Sequence, residues 1–295
     1  MLEHLNSSAL PPRRVVILGA HGFVGAASAR LMAAHGVPVL ALGRAEADLL
    51  AAGTATRLSH EFRPDDAVVV ISARAPCKDA GMLVDNVRMM ECVCQALAPA
   101  PVSHVVYISS DAVYRDSRAP LTEKSCAEPS SLHGAMHLVR EVMLRSALTA
   151  PLAILRPTLL YGAADPHNGY GPNRFRRLAA AGQDIVLFGE GEEQRDHVLI
   201  DDVAEILRRV LMHRSRGVLN VATGSVHSFR DIAERIAALY DPPVSVRGSP
   251  RQGPMPHGGY RAFDSAASRQ AFPDFRYTEL EAGLAKAKAE HSQRM

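Results

Sequence analysis

Residues 14–25, RVVILGAHGFVG, carry the pattern that decides the fold. The apolar run after Arg14 predicts a buried strand, and a helical pattern opens shortly after it. Gly19, Gly22 and Gly25 span the turn between the two. Because glycine has no Cβ, backbone N–H groups and the helix N-terminus can approach a pyrophosphate there. The position of the glycines therefore predicts a dinucleotide-binding turn, with a plain structural turn as the alternative.

Strand and helix patterns alternate from this turn to residue 157. The strand patterns are apolar without interruption, which is typical of a parallel sheet covered on both faces. This alternation predicts an α/β fold with a doubly wound parallel sheet, the Rossmann arrangement. The predicted strands are 14–18, 37–43, 67–72, 104–110 and 152–157, and the predicted helices are 24–36, 82–98 and 131–148.

The order of elements loosens after Tyr161, where two stretches rich in glycine and proline occur. We predict that residues 196–225 pack back on the first domain, and that a small, discontinuous C-terminal substrate domain forms a cap. The predicted division is a flexible arm over 1–13, a dinucleotide-binding domain over 14–165 and a cap that takes most of 166–295. Two further helices are predicted over 201–211 and 229–239.

The composition excludes several classes of partner. Lys and Arg total 33 against 31 Asp and Glu, so the net charge of +2 provides no basic field to attract nucleic acid or anionic lipid. No apolar run reaches the roughly 18 residues of a membrane span or the pattern of a signal peptide. The four cysteines fit neither a zinc pattern nor a disulfide framework. We therefore predict a cytoplasmic protein with reduced thiols and with neither nucleic-acid nor membrane partners.

Several motifs occur in the order found in one known family. They are GxxGxxG at 19–25, DNV around Asn86, ISSDAVY at 108–114, LRPTLLYG at 155–162, FGEGEEQRDHVLIDDVA at 188–204, LNVATG at 219–224 and the late DSAASRQAF. Over roughly residues 14–287 the chain resembles the extended short-chain dehydrogenases/reductases, the NAD(P)-dependent nucleotide-sugar epimerase/dehydratase family. The resemblance implies a homodimer through the helices near 82–98 and 131–148.

The resemblance also implies roles for single residues. Ser110 would hydrogen-bond the reacting carbinol or carbonyl oxygen, with capping of the following turn as the alternative. Arg195 would contact the diphosphate of a nucleoside-diphosphate sugar, because a guanidinium matches phosphate oxygens, with a structural ion pair as the alternative. Further contacts with the cofactor are expected at Phe23, Val24, Ala73 and Pro157.

The end of the second predicted strand lacks the acidic residue that commonly holds the cofactor ribose in the resembled family. Gly43 lies there, and Arg44 follows it. A small residue leaves room for a 2′-phosphate, and a guanidinium can pair with that phosphate through two hydrogen bonds. This pair favours NADP over NAD, with a surface arginine in a loop as the alternative.

The family's catalytic tyrosine and lysine, spaced YxxxK, are missing. The preceding AEPSS and the following Glu141 place His133 at the tyrosine position and His137 at the lysine position. Imidazole can exchange a proton near neutral pH without a lysine beside it. Because the two histidines are i,i+4, they share one helix face, and His137 could reach the nicotinamide ribose. A metal site is the alternative for such a pair, but the HExxH pattern is absent.

Two functions remain open. The first is an NAD(P)-dependent oxidoreductase or epimerase acting on a nucleoside-diphosphate sugar, with Ser110, His133 and His137 as catalytic residues. Keto-reduction or epimerisation is favoured over 4,6-dehydration, because Ala112 follows Asp111 where the dehydratases carry a second carboxylate. The second function is a catalytically impaired, NAD(P)-binding sensor or scaffold.

Overall fold

The computed structural model describes residues 2–293; Met1, Arg294 and Met295, at the ends of the predicted arm and cap, lie outside them. In chain order the strands are β1 (Arg14–Leu18), β2 (Val39–Leu42), β3 (Asp66–Val70), β4 (His104–Ile108), β5 (Leu152–Pro157), β6 (Leu159–Tyr161), β7 (Ile185–Phe188), β8 (Gln194–Arg195), β9 (His197–Leu199), β10 (Gly217–Val221), β11 (His227–Ser228), β12 (Val246–Ser249) and β13 (Tyr260–Arg261). The helices are α1 (Phe23–Ala34), α2 (Thr54–Glu61), α3 (Ala80–Leu97), α4 (Leu132–Ala147), α5 (Pro172–Ala180), α6 (Ile200–Met212), α7 (Phe229–Ala238), α8 (Ala266–Ala271) and α9 (Leu280–Ser292). Within residues 2–293, every helix is too short or too polar to span a bilayer.

Six parallel strands form the central sheet in the order β10-β5-β4-β3-β1-β2. Every residue of β3 and β4 is buried, because helices cover both faces of the sheet. Met32 of α1 and Ile206 of α6 belong to the core on one face. Met90 of α3 and Leu144 of α4 belong to the core on the other face. The predicted doubly wound α/β fold is confirmed, and the chain changes direction across the sheet between β1 and β3.

The remaining strands form three small sheets outside the central one, in the orders β11-β8-β13, β12-β7 and β6-β9. Phe175 of α5, Leu187 of β7 and Ile232 of α7 share a separate apolar core. β10 pairs with β5 in the central sheet, and α6 packs on α1. The chain therefore returns to the central sheet after it has built part of the outer region.

The motif LRPTLLYG does not form one strand. β5 ends at Pro157, and β6 leaves the central sheet to pair with β9. Thr158 lies at the break, where its N–H donates to the Val221 carbonyl and its hydroxyl donates to Asp196. The first stretch rich in glycine and proline beyond Tyr161 also ends earlier than its composition indicates, because α5 begins at Pro172. Proline suits the first turn of a helix, where no N–H is needed.

Residues 2–10, predicted as part of a flexible arm, lie against the main body. Glu3 and Arg216 exchange backbone hydrogen bonds of 2.9 and 2.8 Å. One ring nitrogen of His4 lies 2.7 Å from the hydroxyl of Ser215. Several of these contacts use the backbone, and the polar composition of the segment did not reveal them. In the structure this segment is docked on the body through these contacts, and the flexibility of the arm stays a prediction.

Candidate active site

A cavity of about 1000 Å³ opens at the carboxyl ends of the central strands. In open α/β sheets this edge, next to the point where the strand order reverses, is where ligands bind. Of the residues predicted for the site, Gly25 and Gly43 lie outside the cavity lining. The predicted residues that line it are Gly19, Gly22, Phe23, Val24, Arg44, Ala73, Ser110, His133, His137, Pro157 and Arg195.

The three glycines of the first turn serve different purposes. Gly19 has a φ of +93°, and a Cβ there would lie 2.7 Å from the Ser72 nitrogen. A Cβ on Gly25 would lie 2.1 Å from the Gly19 carbonyl oxygen, so its absence lets α1 pack against the turn. Gly22 is the N-cap of α1, and no side chain in residues 2–293 caps the helix there. The N–H groups of the first turn therefore remain available to an anion.

The turn after β2 brings further side chains to Gly43. A Cβ on Gly43 would lie 2.0 Å from the exposed His21 ring, so a side chain at this position would require that ring to move. The Gly43 N–H donates to Glu46 at 2.8 Å, a contact that lowers the pKa of this carboxyl. Arg44 is exposed, lines the cavity and lies 3.4 Å from Asp48. The sequence analysis missed Glu46 because it lies beyond the strand end and is brought back only by the turn.

Ser110 caps the 3-10 turn Asp111–Val113. Its Oγ accepts the Ala112 N–H at 3.1 Å and donates to the Asp111 carboxylate at 3.3 Å. Asp111 is buried and accepts a hydrogen bond of 2.9 Å from Arg261 Nε. Ser110 therefore caps the following turn, which was the alternative to its contact with the reacting oxygen. Ser110 also lines the cavity.

Helix α4 is fixed against this turn by a close approach and by a buried carboxylate. A Cβ on Gly134 would lie 2.0 Å from the Ala112 carbonyl oxygen, so only glycine lets the first turn of α4 come this close. Further along, Glu141 is fully buried and accepts hydrogen bonds of 2.6 Å from Ser109 Oγ and from Arg156 Nη2 of β5. These contacts fix the first turn of α4 beside the end of β4.

His133 lies in the first turn of α4 and lines the cavity. Its Nδ1 accepts a long hydrogen bond of 3.4 Å from the Cys77 N–H. Burial lowers the pKa of His133, and the negative charge of Asp111 partly opposes that effect. The imidazole is therefore neutral at neutral pH and can accept a proton.

His137 lies one helical turn further and is buried except where it lines the cavity. Its Nδ1 is 2.8 Å from the hydroxyl oxygen of Tyr107 on β4. Burial lowers the pKa of His137 well below its ordinary value, and the neighbouring His133 and Arg140 add to this. Tyr107 was not predicted as a site residue, because it is one aromatic position in an apolar strand pattern.

Arg195 of β8 is placed among carboxylates. Its Nη1 donates to Glu193 at 3.1 Å, and its Nη2 lies 3.9 Å from Asp111. Arg195 therefore forms the structural ion pair that was the alternative to a contact with the diphosphate. Arg195 also lines the cavity. The sequence analysis missed His257, which lines the cavity from a Gly/Pro-rich loop with its Nδ1 2.5 Å from Asp116.

The geometry fits a dinucleotide. The first turn of α1 is uncapped, and a Cβ on Gly22 would meet only the Gly19 carbonyl oxygen, at 3.4 Å, so a pyrophosphate could approach the N–H groups of this turn. The same cavity is lined by Arg44, Ser110, His133 and His137. In the described part of the chain, no three His, Cys, Asp or Glu side chains are grouped so as to hold a metal ion.

Comparison with known proteins gives consistent matches. Residues 15–222 match the model of the NAD dependent epimerase/dehydratase family. A dTDP-L-rhamnose 4-epimerase from Burkholderia thailandensis is 26% identical over 90% of this chain and 92% of that protein. A UDP-glucose 4-epimerase from Mycolicibacterium smegmatis is 30% identical over 78% of this chain and 83% of that protein. The crystal structure of a GDP-L-fucose synthetase from Naegleria fowleri bound to NADP has a TM-score of 0.84 at 16% identity, covering 100% of this chain and 98% of that chain.

Proposed function

Because the chain belongs to the NAD-dependent epimerase/dehydratase family, we propose that it is an NAD(P)-dependent epimerase or keto-reductase acting on a nucleoside-diphosphate sugar. The observation that carries this proposal is the placement of His133, whose imidazole in the first turn of α4 lines the same cavity as Ser110 and the glycine turn. The two curated relatives are sugar-nucleotide 4-epimerases by name, which supports the same class of substrate.

His133 is the proposed acid–base group. Nδ1 of its neutral imidazole gives up the long contact with the Cys77 N–H and accepts the proton of a sugar hydroxyl, and the nearby Asp111 stabilises the imidazolium that forms. The bound nicotinamide supplies the acceptor for the hydride that leaves the same carbon. Ser110 donates a hydrogen bond to the reacting oxygen and gives up only its long 3.3 Å contact with Asp111. In the reduction, the imidazolium of His133 returns the proton to that oxygen.

The direction of the first step favours epimerisation over reduction of a supplied ketone. Epimerisation at a hydroxyl carbon begins with proton removal, which a neutral histidine can perform at neutral pH. Dehydration is disfavoured, because Ala112 provides no second carboxylate beside Asp111. A keto-reductase remains the closest variant of the same chemistry.

Arg195 is the proposed contact for the substrate diphosphate. Its guanidinium lines the cavity and holds its charge at any physiological pH. Because Glu193 and Asp111 lie beside it, the diphosphate must share the guanidinium with them or displace them. His257 lines the same cavity and offers a further polar group for the sugar.

NADP(H) is the proposed preferred cofactor. Arg44 is exposed at the cavity, where its guanidinium can pair with a 2′-phosphate. Asp48 competes for the guanidinium at 3.4 Å, and the charged Glu46 lies on the same turn. The preference therefore depends on the balance between one cation and two neighbouring carboxylates.

A second candidate function is a dinucleotide-binding sensor or scaffold without turnover. One observation favours it: within residues 2–293 no lysine lines the cavity. In the described part of the chain, no other lysine therefore takes the place of the family's lysine. The pKa values of His133 and His137, which lie at the tyrosine and lysine positions, are both lowered.

A homodimer through α3 and α4 is also proposed. These helices pack against each other and expose the side chains of Val84, Val139 and Val142. Light scattering should give the mass of two chains, and the mass of one chain would contradict the proposal. The cytoplasmic location stays a prediction from the sequence.

The test of the proposed function is turnover. The purified protein is incubated with NAD⁺ or NADP⁺ and with UDP-, dTDP-, GDP- and ADP-sugars, and NMR follows the appearance of the epimer. Mass spectrometry of molecules that co-purify with the protein identifies the base and sugar directly. Epimer formation supports the enzyme. Cofactor binding by calorimetry without turnover of any sugar supports the sensor or scaffold.

A further inference from the structure

The side of His137 that faces away from the cavity is enclosed by two buried residues. Tyr107 is fully buried, and its hydroxyl oxygen lies 2.8 Å from His137 Nδ1. Among residues 2–293 this nitrogen is the one hydrogen-bond partner found for that hydroxyl. Arg140 is also fully buried and lies one helical turn beyond His137 on α4.

Arg140 is a buried cation without a carboxylate partner in the described part of the chain. Its Nη2 donates to the Ser72 carbonyl at 2.6 Å, and its Nε has no hydrogen-bond partner. The guanidinium carbon lies over the Tyr107 ring, 5.3 Å from the ring centre. Because arginine cannot lose its proton in a protein, a fixed positive charge stays next to His137. That charge and burial both disfavour a second proton on the imidazole.

A neutral imidazole carries one N–H, and the buried Tyr107 decides which nitrogen holds it. Burial raises the pKa of Tyr107 to about 12, so this hydroxyl keeps its proton. If His137 were protonated on Nδ1, the Tyr107 O–H would have no acceptor within residues 2–293. A buried donor without an acceptor is costly and rare in folded proteins. Protonation of His137 on Nε2 leaves Nδ1 free to accept the Tyr107 O–H, so both the hydroxyl and this nitrogen have a hydrogen-bond partner.

We propose that the Tyr107 hydroxyl donates a hydrogen bond to His137 Nδ1, which fixes the imidazole proton on Nε2 and makes His137 a permanent hydrogen-bond donor toward the cavity. Tyr107 is then a positioning residue that acts through His137. The identity of the acceptor rests on the proposed function: it is a hydroxyl of the ribose on the nicotinamide side of the cofactor. His133 is left as the acid–base histidine of the pair.

The tautomer of His137 can be measured without cofactor or substrate. Nitrogen-15 NMR of the histidine-labelled protein distinguishes a protonated from an unprotonated ring nitrogen, and His137→Gln identifies the signals by their loss. We expect an unprotonated Nδ1 and a protonated Nε2 in the wild type. A protonated Nδ1, or an even mixture of the two tautomers, would overturn the proposal.

Tyr107→Phe tests whether the Tyr107 hydroxyl sets the tautomer of His137. It keeps the ring against Arg140 and removes only the hydroxyl, so His137 should shift to a mixture of tautomers. NADP(H) should bind about three- to tenfold more weakly, which is the usual effect of one hydrogen bond. Tyr161→Phe is the matched control, because the Tyr161 hydroxyl is also buried but has no partner in the described chain. The control should change neither the tautomer nor the affinity.

The outcomes separate this proposal from the proposed function. If Tyr107→Phe keeps the wild-type tautomer and the wild-type NADP(H) affinity, Tyr107 does not position His137. If the wild type turns over a nucleotide sugar while its Nδ1 is protonated, the role of Tyr107 is wrong and the enzyme assignment stands. If the tautomer is as expected and no sugar is turned over, the enzyme assignment fails alone.

Discussion

The rings of His133 and His137 lie edge to face with their centres 4.8 Å apart on the cavity face of α4. Although they are neighbours, their surroundings differ. His133 is near Asp111, whose charge favours the imidazolium, whereas His137 lies against Tyr107 and Arg140, and Arg140 disfavours a second proton. The two histidines should therefore separate into a group that exchanges protons and a group that holds the cofactor.

The glycine turn gives a sharp test of cofactor binding. Gly22→Val should abolish NAD(P) binding, because the new side chain enters the pyrophosphate space. The fold should be retained, since a Cβ there meets only the Gly19 carbonyl oxygen at 3.4 Å. Gly25→Ala is the contrasting variant: its Cβ would lie 2.1 Å from the same oxygen and should lower the melting temperature. Calorimetry and thermal unfolding measure the two effects, and unchanged binding by Gly22→Val would remove the turn from the cofactor site.

The sequence predicted the glycine turn and five strands of the central sheet, β1 to β5, because these depend on local patterns, and it did not predict β10. Buried parallel strands are continuous apolar runs, and β1 was predicted with the bounds that the structure has. The contacts that define the site are of another kind. Tyr107 meets His137, and His257 meets Asp116, over long separations that no spacing rule connects. The docking of residues 2–10 was also missed, because the backbone pairing of Glu3 with the distant Arg216 cannot be predicted from composition.

Cofactor preference should depend on the turn after β2. Arg44→Ala should weaken NADP(H) by about tenfold and leave NAD(H) nearly unchanged, because one charge-assisted pair is lost. Glu46→Gln should act in the opposite direction and strengthen NADP(H), because it removes a charge that would repel the 2′-phosphate. Calorimetry with both cofactors measures the ratio. Equal losses for NADP(H) and NAD(H) on Arg44→Ala would show that the guanidinium does not recognise the 2′-phosphate.

The pH dependence of turnover should follow His133. Because burial lowers its pKa below 6.5, the base form dominates at neutral pH. Alcohol oxidation should therefore rise as the pH increases through a value below 6.5 and then stay level through neutral pH, while ketone reduction should fall over the same range. The profile of kcat/KM against pH measures both. An oxidation rate that rises only at alkaline pH would point to a different base.

Acid should destabilise the fold through His104. This buried imidazole lies 2.7 Å from the Ser215 carbonyl oxygen through Nε2, while Nδ1 has no partner in residues 2–293. Burial lowers its pKa to about 4, so the unfolded chain binds the proton first as the pH falls below 6.5. The free energy of unfolding should then fall by about 2 kcal/mol between pH 7 and pH 5 from this group. Urea unfolding of wild type and His104→Gln measures it, and an equal pH slope in both would exclude His104 as the cause.

Substitution of His133 tests the central claim, that imidazole chemistry turns over a nucleotide sugar in this cavity. His133→Ala should lower kcat about 100-fold while cofactor affinity stays nearly unchanged, because general acid–base catalysis supplies about that factor. His137→Ala should weaken the cofactor as well. The decisive measurement compares turnover of the nucleotide-sugar panel by wild type and by the double variant His133→Tyr with His137→Lys, which rebuilds the YxxxK couple. An active wild type that loses its rate on His133→Ala is the predicted result. A wild type that is inert with every sugar, beside a double variant that turns one over, would contradict histidine catalysis and identify a binding protein that has lost its chemistry.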